Sequence, residues 1–570
     1  MVDILIIYTI LLIKMSTPSA KKLRRLHVGA LPLIDEIMRQ MGLREMLADY
    51  IPASGRESVS PADVIALLVA NMTIAKDPLY EMAQWVDALD LRAFGHRKRP
   101  AACFSDDRFG RALDKLYYAD RASLMTRLVV EAIKAFDIQL DRIHNDSTTV
   151  KAFGRIPGRT RTGMELRHGH SKDHRPDLKQ LVYSLSITDD GAVPIHHKVY
   201  SGNRNDETTH IETWETLRKI HGTADFLYVA DCKLCTQKQL AHIVGNGGRA
   251  VTILPQNFTE VRGFKQQLRA GARPKRLLWR RPNPTDETGT EYFYLFDGSY
   301  RTTHGYCLHW FVSSEKRLRD RHSRRERLEQ AEAALNELAP KLNARRLKRK
   351  PDISRATDAI LEKYHLEGLL DVHIQHHVER WRKRKRGRPG KRVQYQYHCR
   401  VSYSLHWSRN AEALRAEART DGVFPLLCTD PDLSPRQVLQ AYKFQPRLEK
   451  RFCQFKSIHR AAPLLFKKIR RVEANMFVFF LALMVQALLE RQLRQRLAQR
   501  NAPPLKLYPE DRDAPHPTTS QLFKTFDRLS TYAITRDNHL IEEYRDDLNV
   551  THKQVLTLLD ISEEDFWKTA

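Results

Sequence analysis

Asp146, Asp231 and Glu449 each stand in a context suited to gripping a divalent cation. The last belongs to the pattern Tyr442-x2-Gln445-x3-Glu449-x6-Lys456. Tyr442, Glu449 and Lys456 are seven apart, so on a continuous helix they share one stripe, with a carboxylate between a phenol and an ammonium. That stripe can hold a metal against a phosphodiester. Breaking a phosphodiester at neutral pH needs an activated nucleophile and a stabilised leaving oxygen. Two magnesium ions held about 4 Å apart by carboxylates supply both. Magnesium prefers oxygen ligands and retains waters, so a few carboxylates suffice. Taken singly, an Asp at a strand end is more often a turn former or a helix cap. Glu449 alone is most simply a solvated helix residue.

The elements that must position these acids follow from the surrounding pattern. Residues 1–23 are expected to be disordered or extended. Their apolar run from Ile4 to Ile13 is too short to span a bilayer, and Met15 is an alternative start. Residues 24–137 read as helices and as a probable DNA-binding region. Ser60-Pro61 and Ser105 provide helix starts, and Arg97, Lys98, Arg99, Arg108, Arg111 and Lys115 gather around the second of these helices. Residues 138–255 hold a strand from Leu140 to Thr148 that ends near Asp146, a strand at 181–188, a turn at Asp189-Asp190-Gly191, and a return strand from Val193 to Tyr200. A helix from Thr208 to Ile220, a short strand from Phe226 to Ala230 leading into Asp231, a helix from Thr236 to Val244 and a strand from Ala250 to Leu254 complete that part. A three-strand meander followed by helix, strand, helix and strand is the order of a ribonuclease-H-like core. The fold class expected is therefore α/β, with a mixed sheet.

Residues 256–430 read as a partly β insertion. It carries a hairpin (Tyr292–Phe296 with Tyr306–Val312), a highly charged helix from Lys316 to Leu338, a half-buried strand from Val393 to Trp407, and a short strand from Phe424 to Cys428. Residues 431–498 return to helix, complete the core and bring in Glu449. Pro446 should kink or restart the backbone between Tyr442 and Glu449. Val472 to Leu489 is an apolar helix expected in the core and not in a membrane. Residues 499–570 read as a Pro-rich linker and a helical tail.

The formal net charge of +27 is spread over several basic clusters, which favours a polyanionic partner and salt-sensitive association. The seven cysteines are scattered and odd in number, so no disulfide framework is implied, in keeping with a reducing cytosol. Cys232 and Cys235 form a CxxC without a second pair at zinc spacing.

The chain resembles the DDE transposases of bacterial insertion sequences, in the group with a Tyr-x2-Arg-x3-Glu-x6-Lys signature. The residues that carry the resemblance run in order. They are His144-Asn145-Asp146-Ser147-Thr148-Thr149, Ser171-Lys172-Asp173-His174-Arg175-Pro176-Asp177, Gly202-Asn203-Arg204-Asn205-Asp206-Glu207-Thr208, Val229-Ala230-Asp231-Cys232-Lys233 and the Tyr442 to Lys456 segment. The resemblance implies that Asp146, Asp231 and Glu449 form the catalytic triad, with Mg2+ or Mn2+, two ions, as cofactor. Tyr442 and Lys456 would contact transposon-end DNA. The partners implied are double-stranded DNA, as element ends and target, and a second copy of the chain in a homodimer on DNA. The implied setting is a bacterial cytoplasm, associated with the nucleoid.

Gln445 departs from that signature. It replaces the arginine, with Arg447 two residues on, and a glutamine brings neither charge nor a guanidinium fork to a phosphate. The segment Arg386-Gly387-Arg388-Pro389 looks like an AT-hook; its rival is a basic loop held by phosphates without sequence preference. Trp279, Trp310, Trp381 and Trp407 are candidates for stacking on a flipped base, with core packing as the default. His196 and His197 point to opposite faces of a strand and make poor co-ligands. Two rival functions stand beside the main one. One is a tyrosine recombinase with Tyr442 as nucleophile. The other is a non-catalytic DNA-binding protein of transposase descent.

Overall fold

The computed structural model describes residues 21–95, 101–154, 156–172, 175–205, 208–283, 289–384, 386, 395–458, 466–536 and 539–567. The chain divides into two units, residues 1–250 with 441–570 and residues 251–440. The protein is a mixed α/β molecule with a large mixed sheet and many helices.

The first unit is built around the helix Ile469–Gln499. It is long and apolar enough to cross a membrane, yet its apolar window is entirely buried by protein. It packs on the helices Leu31–Gln40, Pro61–Thr73 and Asp106–Tyr118 and on the strand Pro194–Ser201. Polar residues near its start are used in pairs. Glu473 accepts from Arg121 at 2.6 Å, and Arg470 and Arg471 both reach Asp114. Among the N-terminal helices, Pro61–Thr73 starts as its sequence requires, with the Ser60 hydroxyl accepting from Asp63 N at 3.1 Å and proline in the first turn. Ser105 also precedes a helix, but its side chain makes no capping bond. Arg97, Lys98 and Arg99 lie outside the described residues.

Against the central helix lies a sheet in the order Pro194–Ser201, Gln180–Thr188, Arg142–Lys151, Leu227–Ala230. The first two pairings are antiparallel, and the last, Arg142–Lys151 with Leu227–Ala230, is parallel. Asp146, expected near a strand end, sits mid-strand instead. The polar residues on either side of it stay in the strand by pairing along the ladder with Gln180–Thr188. Asn145 Nδ2 donates to Ser184 Oγ at 3.2 Å and to Ser186 Oγ at 2.9 Å.

Both ends of the chain depart from expectation. Lys22–His27 is a strand, not the start of a helix, and pairs antiparallel with Ser530–Arg536, which pairs in turn with His539–Arg545. The residues after 499 are thus more than a linker and a helical tail: they carry two strands of a three-stranded sheet. Thr531 Oγ1 donates to Asp90 at 2.8 Å, and Arg92 is paired with Asp90 and Glu543. Removing residues 518–570 strips one strand of its partners and uncovers apolar surface on the central helix. Such a truncation is expected to be recovered as aggregate, or to melt well over 10 °C below the full chain by calorimetry, the scale set by losing several buried side chains.

The second unit has antiparallel strands. Cys307–Ser313 pairs with Thr290–Phe296 and with Val423–Cys428, and residues 251–253 pair with 426–428. The charged helix Ser314–Leu338 follows as expected. It packs with Lys350–Tyr364 over a small core of Leu328, Leu335, Ile353 and Leu370. From that core emerges a hairpin of two long strands, Leu370–Arg384 and Tyr395–Arg409. The sequence pattern from Val393 to Trp407 predicts a half-buried strand. The strand is instead exposed along most of its length, because only the base of the hairpin meets the core.

Candidate active site

The parallel ladder brings the first two acids together. Arg142 is opposite Leu227, and the register continues to Asn145 opposite Ala230. The next residues are Asp146, still within its strand, and Asp231, just past the end of its own. Neighbouring strands lie about 4.8 Å apart, so two carboxylates that are far apart in sequence become lateral neighbours. Asp231 then turns the chain, its Oδ1 accepting from Lys233 N at 3.0 Å. It is both a helix cap and a neighbour of Asp146.

Two like charges in a packed sheet are costly. Burial, with Asp231 adding to it and Lys172 opposing, pushes the Asp146 carboxyl up to about 6. Lys172 stands in the motif at 171–177, which by itself gives it no role; the structure does. Its Nζ donates to Ser147 O at 2.6 Å and lies 3.4 Å from Asp146 Oδ1. The loop that carries it is clamped in place. Arg167 exchanges two backbone bonds with Gln180, and Lys172 N donates to Thr149 Oγ1 at 3.1 Å. Gly169 passes so close to Gly202 that a Cβ there would meet its carbonyl oxygen at 2.0 Å. Removing the ammonium with Lys172→Ala is expected to raise the Asp146 pKa further, visible as a displaced titration in carbon-detected NMR of the carboxyl groups.

Glu449 arrives differently from the expectation. Tyr442 ends the helix Pro435–Tyr442, and a new helix, Gln445–Cys453, begins with Pro446 in its first turn. Lys456 lies in a following π turn, Gln454–Ile458. The seven-residue stripe is therefore broken at Lys443-Phe444, where Pro446 cannot continue the earlier helix. The Glu449 helix still packs on the Asp146 strand. The Tyr442 phenol is pushed well up, by burial first and then by Asp231, Glu449 and Asp146 among its neighbours, so all three acids act on one hydroxyl. Glu449 itself is exposed. Among the described residues, no three His, Cys, Asp or Glu side chains form a ready cation site.

The remaining expected residues separate. Gln445 is half-buried beside His144, whose ring packs on Phe444 at 4.8 Å between centroids. Burial pushes His144 down to about 3, an effect that Gln445 only partly offsets, so the imidazole is neutral at physiological pH. Arg447 lines a cavity of about 450 Å³ with Arg451, Glu490 and Arg494, and none of the three acids lines it. Arg386 lies beyond the exposed hairpin strand, in the other unit, and Arg388 lies outside the described residues. Trp310 is buried and stacks on Phe264 at 3.9 Å, which makes it core. Trp381 is 39% exposed.

The donors at the Asp146–Asp231 pair are carboxylate oxygens, with an ammonium already bound beside one of them. That set fits a hard divalent cation such as magnesium or manganese and not a thiolate-seeking metal.

Comparison with known proteins adds the following. A family profile described as a domain of unknown function, DUF4277, matches residues 23–130. No curated protein matches. Among solved structures, a cryo-EM structure of a piggyBac transposase synaptic complex with hairpin DNA is similar at 11% sequence identity and a TM-score of 0.28. That match covers 50% of this chain and 60% of that one.

Proposed function

We propose that the chain is a DDE transposase that cleaves DNA at the ends of a mobile element and transfers the freed strand into target DNA. The observation that supports this is the ladder register that leads to Asp146 and Asp231 on neighbouring strands, with the helix that carries Glu449 packed on the Asp146 strand. Three antiparallel strands followed by a parallel one also fit a ribonuclease-H-like core. The net charge of +27 suits a DNA partner.

In this account Asp146 and Asp231 supply the shared negative charge that binds Mg2+ or Mn2+, and Glu449 closes the site from its helix. When bound, the ions would activate the attacking hydroxyl and stabilise the leaving oxygen of the phosphodiester. Lys172 keeps Asp146 ionised nearer neutrality. Tyr442, held neutral by its raised pKa, is a hydrogen-bond donor to a phosphate oxygen, and Lys456 a charge contact to the backbone. Water first hydrolyses the phosphodiester at the element end, leaving a 3′-hydroxyl and a 5′-phosphate; that 3′-hydroxyl then attacks a phosphodiester of target DNA and displaces the target strand's own 3′-oxygen. We propose that a dimer holds the two ends.

The test is a nicking assay on supercoiled plasmid carrying the gene with its flanking DNA. Magnesium-dependent relaxation that EDTA abolishes is expected. Activity in EDTA would favour a recombinase through Tyr442, which the raised phenol pKa already disfavours as a nucleophile. The rate should also fall below about pH 6 as Asp146 takes up a proton, and added metal should shift that limb to lower pH. A limb insensitive to metal concentration contradicts the assignment of Asp146.

A second possibility, a DNA-binding descendant without catalysis, is favoured by Gln445 and by the exposed Glu449 outside any three-ligand cluster among the described residues. It predicts DNA binding without nicking under any divalent metal.

A further inference from the structure

The hairpin of Leu370–Arg384 and Tyr395–Arg409 extends well beyond the core that seats its base. Its base is used: Leu370 and Leu405 are buried in the small core, with Val372, Ile374, Tyr403 and Trp407 packed against it. Beyond that base, all ten residues from Gln375 to Arg384 are exposed. At roughly 3.3 Å per residue they carry the ribbon about 33 Å past the core. An isolated two-stranded ribbon is marginal in water, so one of this length needs either internal pairs or a partner. Internal pairs are present. Trp381 stacks on His398 at 5.6 Å, and the Arg382 guanidinium lies 4.7 Å from the Tyr395 ring centroid.

The pairing register sorts the outer ribbon into two faces. Arg382 is opposite Tyr397, Arg380 opposite Cys399 and Arg384 opposite Tyr395. One face therefore alternates three guanidiniums on one strand with two phenols on the other. Tyr397 is 81% exposed, and Val378 and Val401 below it are 44% and 48% exposed. Between Arg380 and Arg400 the sequence has ten Lys or Arg and no Asp or Glu. Ordinary solvated surface mixes both signs; this stretch does not.

We propose that the outer half of this ribbon enters the major groove of B-form DNA, with the Arg380–Arg382–Arg384 face against it. The inference rests on the functional proposal above in taking DNA as the partner, and it adds a contact surface outside the acidic site. The major groove is about 12 Å wide and admits a two-stranded ribbon, where arginine forks match guanine O6 and N7 and tyrosines reach phosphates. The deep, narrow groove of A-form RNA does not admit one. The contact lies on the strands themselves, distinct from the sequence segment Arg386-Gly387-Arg388-Pro389 between them.

The test uses the full chain and the R380A/R382A/R384A variant. Binding to a 30-base-pair random-sequence duplex is followed by fluorescence anisotropy over a salt series, with methylation protection of guanine N7 reporting the major groove. Because all three side chains are exposed, melting temperature should not change, and R380K/R382K/R384K provides a control that keeps the charge. The expected result for the alanine variant is at least tenfold weaker binding and loss of N7 protection. The lysine variant should retain most of the affinity and show weaker N7 protection than the parent, because an ammonium keeps the charge without the fork. Unchanged affinity and protection in the alanine variant, or equal affinity of the parent for duplex RNA, overturns the ribbon inference alone. Absence of any DNA binding by the parent overturns the functional proposal with it.

Discussion

Asp146→Asn is expected to reduce magnesium-dependent nicking by at least a thousandfold while leaving DNA affinity unchanged. A thousandfold corresponds to about 4 kcal/mol of lost transition-state stabilisation, a scale appropriate to removing one charge from a shared metal site. Asparagine keeps the shape and can still accept from Ser147 N, which bonds Asp146 Oδ1 at 2.7 Å, so the strand should not rearrange. The same change should stabilise the metal-free protein. The Asp146 pKa is raised from 3.8 to about 6 in the fold, so the folded chain holds this proton more tightly than the unfolded chain. Stability is then fully present below about pH 4 and is lost as pH rises to about 6. At pH 8 the wild-type protein carries that penalty and the asparagine variant does not. A gain on the order of 3 kcal/mol follows, seen as a higher urea midpoint without metal. A variant that nicks at the parental rate, or one destabilised without metal, would remove Asp146 from the role given it.

Arg451→Ala should be the most destabilising single change near the site. Arg451 is 4% exposed and donates to Ala192 O at 3.0 Å, Gly191 O at 3.1 Å and Glu490 at 3.1 Å. It thereby ties the helix that carries Glu449 to a turn of the sheet and to the central helix. Glu490 is itself buried and also accepts from Thr519 N at 3.0 Å. Burial alone would raise the Glu490 pKa, but Arg451, Arg494 and Thr519 outweigh it and hold the carboxyl below its usual range. Removing Arg451 strands part of that charge, a loss of about 3 kcal/mol or more. Adding Glu490→Gln should recover over ~1 kcal/mol, because the stranded charge is gone, and a double-mutant cycle by urea denaturation reads that coupling. Additive effects would show that the two side chains do not act as a pair. Nicking should stay low in the double variant, since Glu449 has still lost its tether.

The fold is legible in the sequence where one physical signal dominates. The central helix announces itself by an apolar run with few charges, and the strand before Asp231 by its four buried residues. Asp146 stands out by its motif, but its place within the strand is hidden. The strand reads from Leu140 to Thr148, but its continuation through Thr149 to Lys151 shows only once the partners across the ladder are known. The break between Tyr442 and Glu449 is written in Pro446, and the structure obeys the proline over the seven-residue spacing. Lys22–His27 does not read as a strand, because its basic residues carry little β signal and its partner lies about 500 residues away. The alternation from Val393 to Trp407 is real, but it records one face of a ribbon whose outer part meets no core. Alternation reports a two-faced strand, not what covers the faces.

The central claim is that Asp146, Asp231 and Glu449 share divalent ions beside DNA. The most direct test is anomalous diffraction from crystals of the protein grown with duplex DNA and Mn2+. The account predicts manganese between the Asp146 and Asp231 carboxylates at about 2.2 Å, with Glu449 swung in to complete its shell. Manganese bound elsewhere, or a DNA-bound structure in which Glu449 remains outside that shell, would contradict it.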